Sequence, residues 1–100
     1  MNLQHAILQI RPGQADLFEE AWGEAKPVLA RQPGCLNVSL HRSLEHSERY
    51  LLLVAWETVA AHHEFRGSPD HARWDGLLHG FYELEPTVDH YVAPGEHPLA

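Results

Sequence analysis

The sequence contains a single cysteine, Cys35, and no long apolar run behind basic residues. A lone cysteine offers no disulfide framework. The missing apolar run leaves nothing that indicates a secretion signal or a membrane span. These absences favour a cytoplasmic protein.

Positive charge is also scarce. The chain has seven Lys and Arg residues, scattered singly, against 14 Asp and Glu residues, for a formal net charge of −7. Nucleic acids and anionic membranes attract clustered basic side chains, so neither is an expected partner. A neutral or weakly charged small molecule suits this surface better.

Repeats and low-complexity tracts are absent, and the chain has 100 residues with 44% hydrophobic content. That is enough to bury one core without disulfides or metals, and too little for a second domain. We therefore expect a single domain over residues 1–93. Residues 94–100, rich in proline, are expected to form a loose C-terminal tail.

Hydrophobic patterning predicts elements in the order β-α-β-β-α-β. The strands are predicted at residues 3–10, 35–43, 49–56 and 86–92, and the helices at residues 14–32 and 58–81. The second helix is expected to break at Gly67 and to restart at Ser68, because an N-cap hydroxyl, a proline and an acid follow one another there. This element order is typical of the ferredoxin-like α+β fold, a four-stranded antiparallel sheet with both helices on one face.

The third strand is apolar at six consecutive positions, residues 51–56, so both of its faces should be buried. Two helices cover only one face of a sheet. We therefore expect the other face to pack against a second copy of the chain, which gives a homodimer with a sheet-on-sheet interface.

Nine histidines raise the possibility of a metal site, but their spacing argues against one. Gly67 stands where an H-E-x-x-H motif starting at His63 needs its second histidine. His62 and His63 point about 100° apart on a helix and cannot share an ion. Cys35 has no activating neighbour in sequence, and no G-x-S-x-G or G-x-G-x-x-G motif occurs. We expect no metal, no flavin and no nicotinamide cofactor.

Several short motifs occur in a characteristic order along residues 3–93: Pro33-Gly34-Cys35, Trp56-Glu57-Thr58 before a broken helix, Ser68-Pro69 and Pro86-Thr87-Val88. In this order and spacing the chain resembles the antibiotic biosynthesis monooxygenase family. The resemblance implies a dimeric α+β barrel with a pocket between sheet and helices. Members of such barrels include cofactor-independent oxygenases of quinols and anthrones, haem-degrading enzymes, isomerases and proteins without known activity.

The chain departs from two branches of that family. Quinol-oxidising members often place a histidine on the short helix where Phe65 stands here, so Phe65 can only form a wall of the pocket. Haem-degrading members have an asparagine on the first strand and an axial histidine on the second helix. Here strand one has no asparagine after Asn2, and the matching helical stretch reads Arg73-Trp74-Asp75, so haem degradation is disfavoured.

Cofactor-free oxygenation needs a base that deprotonates the substrate, donors for the resulting oxyanion and a dry apolar cavity. We expect His63 to be the base, because it shares a helical face with Val59 and Ala60. His41 and His79 are the alternatives.

Trp56 and Tyr82 are the predicted oxyanion donors, and Phe65 and Trp74 are predicted to stack on a planar ring. Trp56 and Trp74 should therefore contact the same cavity. The remaining predicted substrate-binding residues are Tyr50, His41 and Phe81. Plain core packing is the competing interpretation for Trp74 and Phe81, since an aromatic face at helical spacing usually packs.

Two functions follow from this reasoning. The first is a cofactor-independent monooxygenase that uses molecular oxygen on a small aromatic such as a quinol, an anthrone or a polyketide-like compound. The second is a non-oxidative member of the same fold, either an isomerase or a ligand-binding protein. Oxygen uptake with a panel of quinols and anthrones would discriminate between them.

Overall fold

Four strands form one antiparallel sheet in a computed structural model that describes residues 1–99. The strand order is β2-β3-β1-β4, and the bounds are β1 Asn2–Gln9, β2 Cys35–Arg42, β3 Arg49–Trp56 and β4 Thr87–Tyr91. The helices are α1 Ala15–Ala30, α2 Val59–Arg66 and α3 Pro69–Leu78, and α3 continues into a 3-10 turn at His79–Phe81. This is the predicted ferredoxin-like α+β architecture.

Side chains alternate strictly across β1 and β3, which together form the centre of the sheet. Leu8, Leu52 and Val54 are buried on the face that the helices cover. The intervening residues point to the opposite face and are half-buried in the single chain. The apolar residues on this second face are Leu3, Ile7, Leu51, Leu53 and Ala55, next to Tyr91 of β4.

Helix α1 begins after a tight turn whose central residues are Pro12 and Gly13. The φ of Gly13 is 79°, and the amide of Gln14 donates to the carbonyl of Arg11 at 3.1 Å, which together define a type II turn. The carboxylate of Glu48, from the β2–β3 connection, accepts hydrogen bonds from the amides of Gly13 and Gln14. The Glu48 carboxylate, from a loop distant in sequence, thus satisfies two amides just before the N-terminus of α1, which is the positive end of the helix dipole.

Helices α2 and α3 both begin at hydroxyl caps, and the cap at Ser68 is the predicted one. The Thr58 hydroxyl accepts from the Ala61 amide at 3.1 Å, and the Ser68 hydroxyl accepts from the His71 amide at 3.3 Å. The Ser68 hydroxyl also donates to the Phe65 carbonyl at 2.6 Å, at the end of α2. One side chain therefore ends the first helix and starts the next, which fixes the break between them.

The end of the chain is outside the core. A single 3-10 turn occurs at Pro94–Glu96, and the residues from 87 to 99 are exposed. Ala100, the last residue of the predicted tail, lies outside the described residues. Within residues 1–99, no helix has both the length and the apolar character needed to cross a membrane.

Candidate active site

A cavity of about 370 Å³ lies between the helix-covered face of the sheet and helices α2 and α3. Its apolar walls include Leu8, Leu29, Leu52, Phe65, Trp74 and Tyr82. Its polar groups are Gln4, His62, Arg66, His71, Asp75, His79 and Glu85. Apolar walls with a few polar groups are typical of small-molecule sites, and the volume falls at the small end of their range of about 300–1,000 Å³.

His62 is the buried titratable group of this cavity. It is 4% exposed, and its ring stacks on Trp56 with centroids 5.2 Å apart and 26° between the ring planes. Its Nδ1 lies 2.7 Å from Nε2 of His90 on β4. Burial, together with the adjacent His90 and Arg66, lowers the pKa of His62 to about 4. The cavity therefore contains a neutral imidazole at neutral pH.

Gln4 places an amide on the floor of the cavity. Its Oε1 accepts a hydrogen bond of 2.9 Å from Nε1 of Trp56, a fully buried side chain beneath His62. Because the tryptophan N–H can only donate, it holds the carbonyl end of the amide. The NH₂ end of Gln4 remains available as a donor to a bound molecule.

Two further donors come from aromatic residues. Nε1 of Trp74 is buried and has no hydrogen-bond partner within residues 1–99, while its ring packs edge-on to Phe65 at 6.1 Å. Burial, with Asp75 and Glu85 nearby, raises the pKa of Tyr82, so its hydroxyl stays protonated. Both side chains can donate to an oxygen atom, and an unpaired buried donor such as Trp74 gains most from such a partner.

Four of the residues singled out from the sequence line this cavity: Phe65, Trp74, Tyr82 and the alternative base His79. Trp56 does not line it. It is fully buried behind His62 and Phe65, so the expectation that Trp56 and Trp74 contact the same cavity is wrong. Trp56 instead orients Gln4.

His63 points out of the fold. His63, Val59 and Ala60 are all exposed. The prediction that these residues form the inward face of α2 is therefore wrong. Phe65 is buried, and the residue three positions before it is His62, which therefore lies on the buried face. Counting back from Phe65, the bulkiest apolar residue of this helix, would have identified His62 from the sequence.

Three other predicted binding residues lie elsewhere. Tyr50 packs against Phe18 with ring centroids 4.8 Å apart, and its hydroxyl donates to Glu19. Phe81 also packs against Phe18, at 6.0 Å. His41 is exposed on β2, with its Nε2 3.1 Å from the Ser39 hydroxyl. None of these three residues lines the cavity.

Sequence reasoning missed Gln4, His71 and His90 as well as His62. Gln4 carried a signal, since a polar residue on the apolar side of a strand is unusual. His90 carried none, because its place beside α2 depends on how β4 pairs with β1. Within residues 1–99 no three or more His, Cys, Asp or Glu side chains cluster closely enough to hold a metal ion.

The fold and its cavity define a ferredoxin-like α+β domain with a site of small-molecule size. The model of the antibiotic biosynthesis monooxygenase family matches residues 1–76, and the chain belongs to this family. The uncharacterized protein YczJ of Bacillus subtilis strain 168 is 42% identical over 92 residues, which cover 91% of this chain and 97% of YczJ.

Two solved structures are also similar to this chain. A Bordetella bronchiseptica protein assigned to the antibiotic biosynthesis monooxygenases is 36% identical, with a TM-score of 0.87 over 92% of this chain and 95% of its own. SnoaB from Streptomyces nogalater, a cofactor-independent oxygenase, superposes with a TM-score of 0.81 over 97% of this chain and 96% of its own. Its identity is 18%, so this second likeness concerns the fold alone.

Proposed function

We propose that the protein is a cofactor-independent monooxygenase that acts on a small aromatic substrate in the cavity beside His62. The observation that carries this proposal is a neutral, buried imidazole in an aromatic cavity whose lining includes Trp74, with its unpaired N–H donor. Cofactor-free oxygenation needs these parts, because the substrate itself must supply the electrons for oxygen.

In this reaction Nε2 of His62 takes the proton of the substrate hydroxyl. The resulting oxyanion accepts hydrogen bonds from Gln4, Trp74 and Tyr82, which stabilise it without a metal ion. The electron-rich anion passes one electron to O₂, and recombination of the radical pair forms a carbon–oxygen bond. The resulting peroxide anion takes one proton back from Nε2 of His62 and becomes a hydroperoxide. Loss of water from the hydroperoxide leaves one oxygen atom in the product as a carbonyl and releases the other as water.

The walls determine what kind of molecule fits. Phe65 and Trp74 lie edge to face, and together with Leu52 they form an apolar enclosure for a planar ring. The cavity volume of about 370 Å³ favours a compact quinol or anthrone over a tetrapyrrole. Water exclusion by these walls also protects the radical pair from side reactions.

A non-oxidative isomerase is the second candidate, and the same observation supports it. A neutral imidazole with a free nitrogen can move a proton between two carbon atoms next to a carbonyl group. The unpaired N–H of Trp74 would then stabilise an enolate instead of a phenolate. Molecular oxygen is the reactant that separates the two candidates.

The test is oxygen uptake with a panel of quinols and anthrones, with ¹⁸O₂ incorporation into product measured by mass spectrometry. Loss of a general base costs about 10²–10⁴-fold, so His62→Gln should lower kcat by that factor. His46→Gln, which changes an exposed histidine in the β2–β3 connection, should keep wild-type rates. Uptake no faster than without protein would refute the oxygenase, and label-free isomerised product would favour the second candidate.

We also propose that the protein functions in the cytoplasm as a homodimer through the second face of the sheet. That face carries Leu3, Ile7, Leu51 and Leu53, which the helices do not cover. A stable interface buries about 1,600 Å² in total. At about 25 cal/mol per Å² of apolar area, a largely apolar interface of that size gives about 20 kcal/mol of gross driving force before ordering costs.

Sedimentation tests this arrangement. Wild-type protein at tens of micromolar should sediment at twice the chain mass of 11.4 kDa. Leu53→Asp should aggregate or unfold, because it places a charge in the interface. Leu44→Asp, at a position 99% exposed in the β2–β3 connection, should remain dimeric. A folded wild-type monomer at this concentration would contradict the proposal.

A further inference from the structure

The proposed base has an unusual partner, a second histidine. Nδ1 of His62 and Nε2 of His90 are 2.7 Å apart, and their ring centroids are 4.8 Å apart. His62 belongs to α2 and is buried, whereas His90 belongs to the edge strand β4 and is exposed. The pair thus connects the interior of the cavity to the solvent.

We propose that His90 relays protons from His62 to the solvent, so that His62 accepts the substrate proton without retaining a positive charge. This inference rests on the proposed function, since it uses the same base. Its basis is the direct contact between the two imidazoles, one in the cavity wall and one at the surface.

The transfer is balanced at every atom. In the resting pair, Nδ1–H of His62 donates to the lone pair of Nε2 on His90, which leaves Nε2 of His62 free to face the substrate. When the substrate O–H bond breaks, its proton bonds to Nε2 of His62. The Nδ1 proton of His62 then moves to Nε2 of His90. His90 becomes the imidazolium and releases its own Nδ1 proton to water. When the peroxide anion takes the Nε2 proton of His62, the Nε2 proton of His90 returns to Nδ1 of His62 and water reprotonates Nδ1 of His90, which restores the resting pair.

The surrounding charges favour this direction of transfer. The groups that face the pair are His63 and Arg66 on α2, His71 on α3 and Asp89 on β4. Each cationic neighbour of His62 lowers its pKa, and burial lowers it most. Burial, His63 and Arg66 also lower the pKa of His90, yet there the carboxylate of Asp89 acts in the opposite sense and stabilises an imidazolium. Positive charge is therefore better placed on His90 than on His62.

If His90 relays protons, the ring nitrogens of His62 and His90 should be protonated differently than if His90 only packs against His62. Two-bond ¹H–¹⁵N spectra of the histidine rings, recorded on the protein without substrate, identify which nitrogen carries the proton. The expected result is Nδ1–H on both His62 and His90. In His90→Phe, which keeps a ring but removes the acceptor, the Nδ1–H signal of His62 should weaken in favour of Nε2–H. Nε2–H on His62 in the wild type would overturn the relay.

Steady-state kinetics of His90 variants provide a second test of the relay. His90→Phe should lower kcat at least about 10-fold with little change in KM, because the substrate does not contact His90. His90→Ala should be similarly slow, and added imidazole should restore a large part of its loss, because the truncated side chain leaves an empty position that is exposed to solvent. His90→Gln can accept a hydrogen bond but cannot pass a proton on, so it should stay slow. His46→Phe is the matched control, with wild-type kcat.

An unchanged kcat in His90→Phe, or full activity in His90→Gln, would overturn the relay. The spectroscopic arm does not depend on turnover. A wild-type protein with the expected protonation states and no oxygen uptake would contradict the proposed reaction and not the paired imidazoles. The two proposals can therefore fail separately.

Discussion

Burial of His62 makes the stability of the fold depend on pH. Its pKa is about 4 in the folded chain, against 6.5 for an unperturbed histidine. Between these two values the unfolded chain binds more protons than the folded chain, so stability falls as the pH falls. The stability associated with a neutral His62 is complete above about pH 6.5 and is lost as the pH drops from there toward 4.

The size of the effect follows from the difference in pKa. At pH 5, which is 1.5 units below the unfolded pKa, protonation of His62 stabilises the unfolded chain by about 1.4 kcal/mol for each pH unit. The free energy of unfolding is therefore about 2 kcal/mol lower than at neutral pH. This is a large part of the stability of a small domain. The lowered pKa of His90 adds a further loss in the same direction.

Urea unfolding at pH 7.5 and pH 5.0, followed by tryptophan fluorescence at one protein concentration, measures this loss. The variant His62→Phe keeps the stack on Trp56 and removes the titration, so it should lose about 2 kcal/mol less than wild type between the two pH values. His46→Gln should lose as much as wild type, because its side chain is exposed. Equal losses in wild type and His62→Phe would refute the reasoning.

Two further predictions concern packing and the cavity. Gly34→Ala should destabilise the protein by about 2–4 kcal/mol, because the φ of 81° disfavours a side chain and a Cβ there would lie 2.6 Å from the Cβ of a neighbouring alanine. Gly76→Ala should stabilise the protein by about 0.5–1 kcal/mol, because position 76 lies in α3 and the new Cβ would have no atom within 4 Å. Urea unfolding midpoints measure the effect of both substitutions. A wild-type midpoint for Gly34→Ala would contradict the predicted destabilisation. Hydroquinone should quench the tryptophan fluorescence of the wild-type protein saturably. Quenching should be weaker in Trp74→Phe and as strong as in wild type in Trp22→Phe. Equal quenching in the wild type and both variants would place the ligand elsewhere.

Most of the fold could be predicted from the sequence, because its signals are local. The type II turn at Gly13 and the caps at Thr58 and Ser68 depend on a few adjacent residues. The alternation of side chains between the two faces of β1 and β3 likewise follows from the geometry of a single strand. These signals were sufficient for the element order, the broken helix and the ferredoxin-like arrangement.

The candidate site was predicted only in part. Phe65, Trp74 and Tyr82 line the cavity. Tyr50 and Phe81 have the same chemistry but pack against Phe18 instead. Residue type alone could not separate these two groups, since both are aromatic and buried or half-buried.

Only the tertiary structure decided which histidine faces the cavity and what it contacts. The rotation of the eight-residue helix α2 is set by the packing of Phe65 against Trp56, and this turns His62 inward and His63 outward. His90 is 28 residues away in sequence, and it reaches His62 because β4 pairs with β1 along the edge of the sheet. The sequence thus determined the elements and the kinds of side chain they carry. The long-range packing of helix on sheet and strand on strand determined which of those side chains meet, because contacts between distant segments leave no local pattern.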